Sequence, residues 1–104
     1  MTIKWVKVDP LVMNGEPFCY GSRLTVRQLL ELRAAGHGLA EILKDHPELK
    51  PLGIAAAYAY AAENRDAFRP FFEGDGSLRG PGYTADEAAA LPPHLRLPGI
   101  VVAR

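Results

Sequence analysis

A capped amphipathic helix constrains the fold of this chain more than any other feature of its sequence. Thr25 is followed three residues later by Gln28, the pattern of a capping box. Apolar side chains then recur at helical spacing, and Gly36 suits the left-handed residue that often follows a helix end. The sequence therefore predicts a helix over residues 26–35. Val26, Leu29, Leu30 and Arg33 fall at that spacing, and Leu32 widens the apolar face.

Two more helices are predicted before residue 70. Residues 39–45 carry apolar side chains on one side and are ended by His46-Pro47. Pro51 suits the first turn of the next helix, because its missing N–H would be unpaired there in any case. An alanine-rich pattern continues to residue 67 and permits close helix contacts. Residues 51–67 are therefore expected to be the central packing helix.

A short β-ribbon is predicted ahead of the first helix. Residues 3–8 are rich in β-forming side chains. Asn14-Gly15 is a turn dipeptide, and residues 17–20 after it are expected to be extended. The two extended segments are placed to pair. An exposed apolar ribbon beside short helices also predicts a homodimer.

The composition changes from residue 70 onward. Five of the nine prolines and five of the ten glycines lie in residues 70–104, which is typical of a tail that wraps over a domain or is partly ordered. Within it Thr84 and Glu87 can cap a short helix. Residues 99–103 are expected to form a last strand, with residues 5–8 of the same or another copy as its mate.

Length and charge limit the classes of function. At 104 residues the chain is in the size range of one domain, here expected as residues 1–69 with the tail 70–104. Its formal net charge is zero, so affinity for nucleic acid would need a local basic face. Neither a signal-peptide core nor an apolar run of roughly 18 residues is present, which predicts a cytoplasmic protein without a membrane partner.

The reactive side chains do not form a recognisable catalytic or metal-binding pattern. His37, His46 and His94 share no metal-ligand spacing with one another or with Cys19. Cys19 lies in an apolar extended run and is expected to be a small buried hydrophobe. The sequence also has no arrangement typical of a nucleophilic triad or a phosphate loop. We therefore expect no enzyme, metal or cofactor.

Residues 9–26, DPLVMNGEPFCYGSRLTV, resemble the opening of the bacterial domain-of-unknown-function family 433. That family typically runs D-P-x-(I/V)-x-x-G-x-P-x-(I/V)-x-G-T-R-I-x-V, and the Gly-x-Pro and Gly-Ser-Arg elements fall here at the right separation. The resemblance covers roughly residues 9–64. It implies a mainly α fold, a three-helix homeodomain-like helix-turn-helix domain with a short N-terminal β-ribbon, often dimeric.

The same resemblance implies a function. Several members of the family look like antitoxins that neutralise small PIN-type ribonuclease toxins and repress their own promoters. Here it implies an antitoxin-like, DNA-binding transcriptional regulator with a PIN-type toxin as partner. The alternative is a protein-interaction and dimerisation module that does not bind DNA.

The basic residues decide between these two hypotheses. The cations that would contact DNA also fit an ordinary solvated surface. Arg23, after a glycine corner, would either reach a phosphate or fix its turn. The expected solvent side of the third helix offers few side chains that can hydrogen-bond base edges, which favours the alternative. The candidate DNA-contacting residues are Arg23, Arg27, Lys50, Lys4 and Lys7, with Arg33 beside them; the solvent side comprises Lys50, Gly53, Ala55, Ala56 and Ala59.

An aromatic cluster follows the third helix. Phe68, Phe71 and Phe72 are the candidate partner-binding residues, either as a docking strip for a partner groove or folded back on the core. Tyr58 and Tyr60 are expected to pack in the core, with a dimer contact as the second possibility.

Overall fold

A computed structural model describes residues 5–103, and within them the chain is mainly helical. A two-stranded antiparallel sheet precedes the helices, and short 3₁₀ segments lie between its strands, between the third and fourth helices, and after the fourth helix. The strands are β1 (Val6–Lys7) and β2 (Phe18–Cys19). The helices are α1 (Val26–Ala34), α2 (Leu39–Asp45), α3 (Pro51–Glu63) and α4 (Ala85–Ala88), and the 3₁₀ segments are Met13–Gly15, Arg65–Phe71 and Pro93–Leu95.

The predicted capping box opens α1. The Thr25 hydroxyl accepts a hydrogen bond from the Gln28 N–H at 3.0 Å, and the Gln28 side chain accepts one from the Thr25 N–H at 2.9 Å. Both N–H groups would otherwise lack a partner inside the helix. Gly36, with φ +102°, follows its end as expected.

Helices α2 and α3 are two separate elements. The range of α2 matches the predicted one, and α3 begins at Pro51. However, α3 ends at Glu63, four residues earlier than predicted. The side-chain amide of Asn64 donates to the Tyr60 carbonyl at 2.9 Å, the acceptor that the next helical N–H would use. The chain then continues as 3₁₀ helix.

The ribbon pairs Val6 with Cys19 and Lys7 with Phe18. It lies against the start of α3, where a Cβ atom added to Gly53 would be 3.1 Å from the Trp5 ring. The part of the predicted strand before residue 5 lies outside the described residues.

The prediction of a last strand over residues 99–103 is wrong. This segment is a turn, because the Leu97 carbonyl accepts from the N–H groups of three following residues, Ile100 to Val102. Gly99 has φ +78°, which also breaks an extended run. Its β contacts are isolated bridges from Val102 to Tyr83 and Pro98, and the mate of β1 within residues 5–103 is β2. The predicted Thr84–Glu87 box does form, at the start of α4.

The hydrophobic core continues past residue 70. Tyr83 and Val101 are buried beside side chains of α1 and α3, and the Tyr83 hydroxyl donates to the Pro51 carbonyl. The C-terminal segment, residues 77–103, is therefore part of the folded unit. Its buried apolar side chains are Leu78, Tyr83, Ala88, Leu91, Leu95, Ile100 and Val101.

Candidate binding surfaces

The candidate DNA-contacting cations differ in whether their side chains already form contacts within the chain. Arg23 and Lys50 are exposed, and neither side chain has a hydrogen bond or ion pair within residues 5–103. Lys7 lies over the Tyr20 ring, 5.2 Å from its centroid. Lys4 lies outside the described residues. Among the described members of the predicted set, Arg23 and Lys50 are therefore the free cations.

The Arg27 side chain forms contacts within the chain. Its guanidinium donates to the Ala67 carbonyl at 2.9 Å and lies 5.0 Å from the centre of the Phe68 ring. Its Nε is also 3.7 Å from a Glu16 carboxylate oxygen. This side chain ties α1 to the 3₁₀ segment after α3, and it would have to give up these contacts to reach a phosphate.

The corner before α1 is held against the link between α2 and α3. The Ser22 hydroxyl donates to the Glu48 carboxylate at 3.1 Å and accepts from the Leu24 N–H at 3.0 Å. Arg23 and Glu48 both line an open surface depression of about 560 Å³. The carboxylate reduces the positive potential that Arg23 would otherwise create there.

Arg33 lies in the core and not on a basic face, contrary to the prediction. It is 1% exposed and donates to the carbonyls of Ile100 and Leu78, the latter at 3.3 Å. Its guanidinium carbon is 4.6 Å from the centre of the Tyr58 ring. Burial lowers the pKa of Arg33, and Tyr58 opposes that shift. The helical spacing grouped this residue with apolar side chains, while its charge led to the prediction of a surface position.

The body of α3 is covered. Gly53 and Ala55, predicted on its solvent side, are buried, and Ala56 and Ala59 are half-buried. The ribbon, α1 and the C-terminal segment all contact this helix. The prediction that these residues face solvent is wrong. Elements distant in sequence pack over them, because their small side chains permit close approach. The first two residues of the α3 region, Lys50 and Pro51, remain exposed.

The aromatic cluster after α3 folds back on the core. Phe68 is buried and its ring centre is 6.3 Å from that of Tyr60. Phe71 and Phe72 are half-buried, and Arg65 lies 4.6 Å from the centre of the Phe72 ring. Phe68 is thus unavailable to a partner in this conformation, as the folded-back alternative predicts. Tyr58 is buried, in line with the core interpretation.

Among the described residues, the most exposed large apolar side chains belong to the N-terminal segment, residues 5–20. Val8 is 56% exposed, Leu11 94% and Tyr20 49%. The edge of the Trp5 ring meets Tyr20, with ring centres 6.1 Å apart. Sequence analysis predicted an apolar ribbon without identifying these residues. Their high exposure makes this segment the best candidate for contact with another protein.

The thiol and the imidazoles do not assemble a reactive site. Cys19 is 1% exposed, and burial raises its pKa to about 12, so the thiol stays protonated at neutral pH. His37 and His46 each lie near a glutamate, at 3.5 and 3.8 Å. Within residues 5–103, no three His, Cys, Asp or Glu side chains are grouped to hold a metal ion. None of the helices described there has the length and apolar character of a membrane span.

Sequence analysis missed Tyr83. Burial raises its pKa, and its ring meets that of Tyr58 edge-on at 6.3 Å. The signal available in the sequence was weak, because an isolated aromatic residue in a Pro/Gly-rich stretch has no periodic partner.

Comparison with known proteins yields one family. Residues 6–61 match the model of a family described as "Protein of unknown function (DUF433)". No curated protein and no solved structure gives a significant match. The matched range runs from the start of β1 almost to the end of α3, and stops before the C-terminal segment that completes the core.

Proposed function

This chain belongs to the DUF433 family, whose function is unknown, and from that premise we propose that it is a non-enzymatic binding protein. Its primary role is protein interaction, beginning with pairing of two copies through the N-terminal segment. We further propose that α1, α2 and α3 form a homeodomain-like helix-turn-helix unit whose third helix no longer reads DNA bases.

The observation that carries this proposal is the contrast between exposed apolar side chains and a covered third helix. Leu11 and Val8 leave most of their surface in water, at an unfavourable free energy that contact with a second protein would remove. In a helix-turn-helix protein, the recognition helix needs a free face with hydrogen-bonding side chains to enter the major groove. Here that helix is packed on several sides by its own chain.

The test of dimerisation is the molar mass in solution. Light scattering on the intact chain at high micromolar concentration is expected to give twice the monomer mass. The Leu11→Ser and Tyr20→Ser variants are expected to shift the mass toward the monomer, because a polar group replaces each apolar contact. Ala90→Ser, an equally polar change at an exposed site of the C-terminal segment, is the matched control. A monomeric parent chain at that concentration rejects the proposal.

An antitoxin-like, DNA-binding regulator is the second candidate. Arg23 and Lys50 favour it, because both are exposed cations without a partner among residues 5–103. Lys50 directly precedes α3, and Arg23 shares a surface depression with Glu48, just before that helix. They suit phosphate contacts that position a protein without reading sequence. The experiment measures binding of a labelled duplex from the upstream region of the gene across a range of salt concentrations.

Two phosphate contacts predict a slope of about −1.8 in log affinity against log salt, from about −0.9 per contact. Replacing Arg23 or Lys50 with Ala is expected to reduce that slope by about one contact each. Arg69→Ala is the matched control, since that side chain is exposed but pairs with Asp66 at 2.9 Å. Absence of binding at low salt removes this candidate and leaves the interaction module.

The partner of an antitoxin would be a small PIN-type ribonuclease. If such a nuclease is encoded beside this chain, co-expression is expected to yield a stable complex in which its RNA cleavage is suppressed. Independent purification and undiminished cleavage would contradict the toxin-binding role, while leaving dimerisation to its own test.

A further inference from the structure

The projecting side chain of Leu11 stands on an ordered turn. It is 94% exposed, the highest value among the large apolar side chains that the structure describes. The Asp9 carboxylate accepts a hydrogen bond from the Leu11 N–H at 2.9 Å, and the Asp9 carbonyl accepts one from the Val12 N–H at 3.0 Å. The Gly15 N–H donates to the Val12 carbonyl at 3.1 Å. Because the turn is already ordered, a contact made through Leu11 costs little conformational entropy.

An open depression lies beside this turn. Val12, the residue after Leu11, contributes to its lining, so the projecting side chain and the depression are neighbours on the surface. The depression has a volume of about 560 Å³, and its lining is mainly apolar. At 94% exposure, Leu11 lies clear of the depression of its own chain. The lining residues are Val12, Phe18, Gly21, Ser22, Arg23 and Glu48.

The turn and the depression carry complementary charges. Asp9 on the turn and Arg23 in the depression are both exposed, and neither forms an ion pair within residues 5–103. Glu48, the second charged residue of the lining, accepts from the Ser22 hydroxyl at 3.1 Å and lies 3.8 Å from His46. Its carboxylate therefore has polar partners in its own chain. The Arg23 guanidinium can pair with a carboxylate from another molecule.

The neighbourhood of projection and depression suits a second copy of the chain. In a two-fold dimer the same surface contacts itself, so a projecting side chain needs its receiving site on the same face. Leu11 and the depression meet this requirement, because Val12 belongs to both the turn and the lining. Such a dimer forms every contact twice.

We propose that a second copy of this chain occupies the depression, with Leu11 of each copy packed against Val12 and Phe18 of the other. Asp9 then pairs with Arg23 across the interface. This arrangement rests on the dimer of the proposed function and names the contacts that form it. Removal of Leu11 from water stabilises the dimer, and the two charge pairs fix the register of the copies.

Isotope-filtered nuclear Overhauser spectroscopy tests the packing of Leu11 without a substitution. Equal amounts of copies with ¹³C-labelled methyl groups and unlabelled copies are mixed, so that filtered cross-peaks arise only between chains. Cross-peaks from the Leu11 methyl groups to the Phe18 ring are expected, while Leu97 of the C-terminal segment, which is half-buried, is expected to give none.

The same samples distinguish this arrangement from dimerisation itself. A chain of dimer mass without Leu11–Phe18 cross-peaks, or with Leu11 cross-peaks to other residues alone, overturns the arrangement and leaves dimerisation intact. A monomeric chain overturns both.

Charge reversal tests the pairing of Asp9 with Arg23. Asp9→Arg and Arg23→Asp are each expected to raise the dissociation constant of the dimer about tenfold, because two pairs per dimer become repulsive. The double variant exchanges the charges and is expected to recover most of the affinity. Glu63→Arg makes the same charge change at the exposed end of α3 and is the matched control. Sedimentation equilibrium measures each dissociation constant.

Asp9→Asn separates the charge from the geometry of the turn. The asparagine side chain retains an oxygen that can accept from the Leu11 N–H but carries no charge. Its dissociation constant is expected to rise by about threefold, less than in Asp9→Arg. An unchanged constant in Asp9→Asn, together with a double variant that dimerises no better than the single ones, overturns the pairing of Asp9 with Arg23.

Discussion

The N-terminal ribbon and the C-terminal segment both contact α3, but they contribute to the fold in different ways. The ribbon consists of two paired residues on each strand, and exposed apolar side chains flank it at Val8, Leu11 and Tyr20. The C-terminal segment has little regular structure, yet it buries Tyr83 and Val101 among the helices and accepts hydrogen bonds from Arg33. Regular hydrogen bonding is therefore a poor guide to which region stabilises this chain.

The comparison also shows that the matched part of the chain is not the whole folding unit. The family match ends at residue 61, whereas buried side chains continue to residue 101. The interior of this chain therefore includes contacts that the matched range does not contain. We expect the C-terminal segment to control stability and the N-terminal segment, which includes the ribbon, to control association.

The largest expected difference between the two regions is between Tyr83 and Tyr20. Tyr83→Ala removes a buried ring and leaves the Pro51 carbonyl without its hydroxyl donor, so a loss of about 3–5 kcal/mol is expected. Tyr20→Ala, at a half-exposed ring, is expected to cost under about 1 kcal/mol in a monomer. Urea unfolding at low protein concentration measures both. Equal losses would contradict the contrast between the regions.

A second pair of substitutions tests close backbone approach. Gly80 has φ +95° and lies against the end of α1, while Gly21 has φ +80° and nothing within 4 Å of an added Cβ. Alanine is strained at both positions, but at Gly80 it would also collide with the Arg33 carbonyl. We expect a loss of about 2–3 kcal/mol for Gly80→Ala and about 1 kcal/mol for Gly21→Ala, measured by denaturant unfolding. A smaller loss at Gly80 would refute the tight contact.

The buried thiol of β2 predicts a fall in stability at alkaline pH. The folded pKa of Cys19 is about 12, against 9.0 without burial, so the unfolded thiol loses its proton first. The contribution of the buried neutral thiol to the free energy of unfolding is complete below pH 9. It declines as pH rises and is smaller by about 1.4 kcal/mol at pH 10. Unfolding free energies at pH 8 and pH 10 measure this decline, and Cys19→Ala is expected to reduce it by that amount. An unchanged pH dependence would show that the thiol is not buried.

The smallest expected difference is between the two helix caps. Thr25 opens the nine-residue α1 and is buried, whereas Thr84 opens the four-residue α4 and is exposed. Thr25→Ala is expected to cost about 1–2 kcal/mol and Thr84→Ala about 0.5 kcal/mol. Thermal unfolding of both variants measures the difference. The reverse order would indicate that α4 contributes more to the fold than its length suggests.

Local interactions were the predictable part of the structure. Both capping boxes are confirmed, because each depends on two residues three positions apart. The start of α3 follows from the chemistry of Pro51 alone. Its end was not predictable from apolar spacing, since a single side-chain hydrogen bond of Asn64 competes with the helix.

Long-range packing accounts for the rest. Arg33 has a helical position that favours the core and a charge that favours water. Its burial depends on carbonyls of Leu78 and Ile100, which lie 45 and 67 residues further along the chain. The β-branched run after Gly99 likewise forms a turn, because bonds to Leu97 replace a strand partner. The candidate DNA-contacting residues could be chosen from sequence, but which of them stay free depended on such contacts.

Native-state hydrogen exchange compares the two regions most directly. The Tyr83 N–H donates to Val101 at 2.7 Å, and the Leu78 N–H donates to Gly99 at 2.9 Å. If the C-terminal segment belongs to the core, the free energy of opening measured at these two amides will equal that of the amides in the middle of α3. The Tyr20 amide, next to β2, will show a lower free energy of opening. A free energy of opening at the Tyr83 and Leu78 amides well below that of the α3 amides would show local opening. That result would contradict a core that includes this segment.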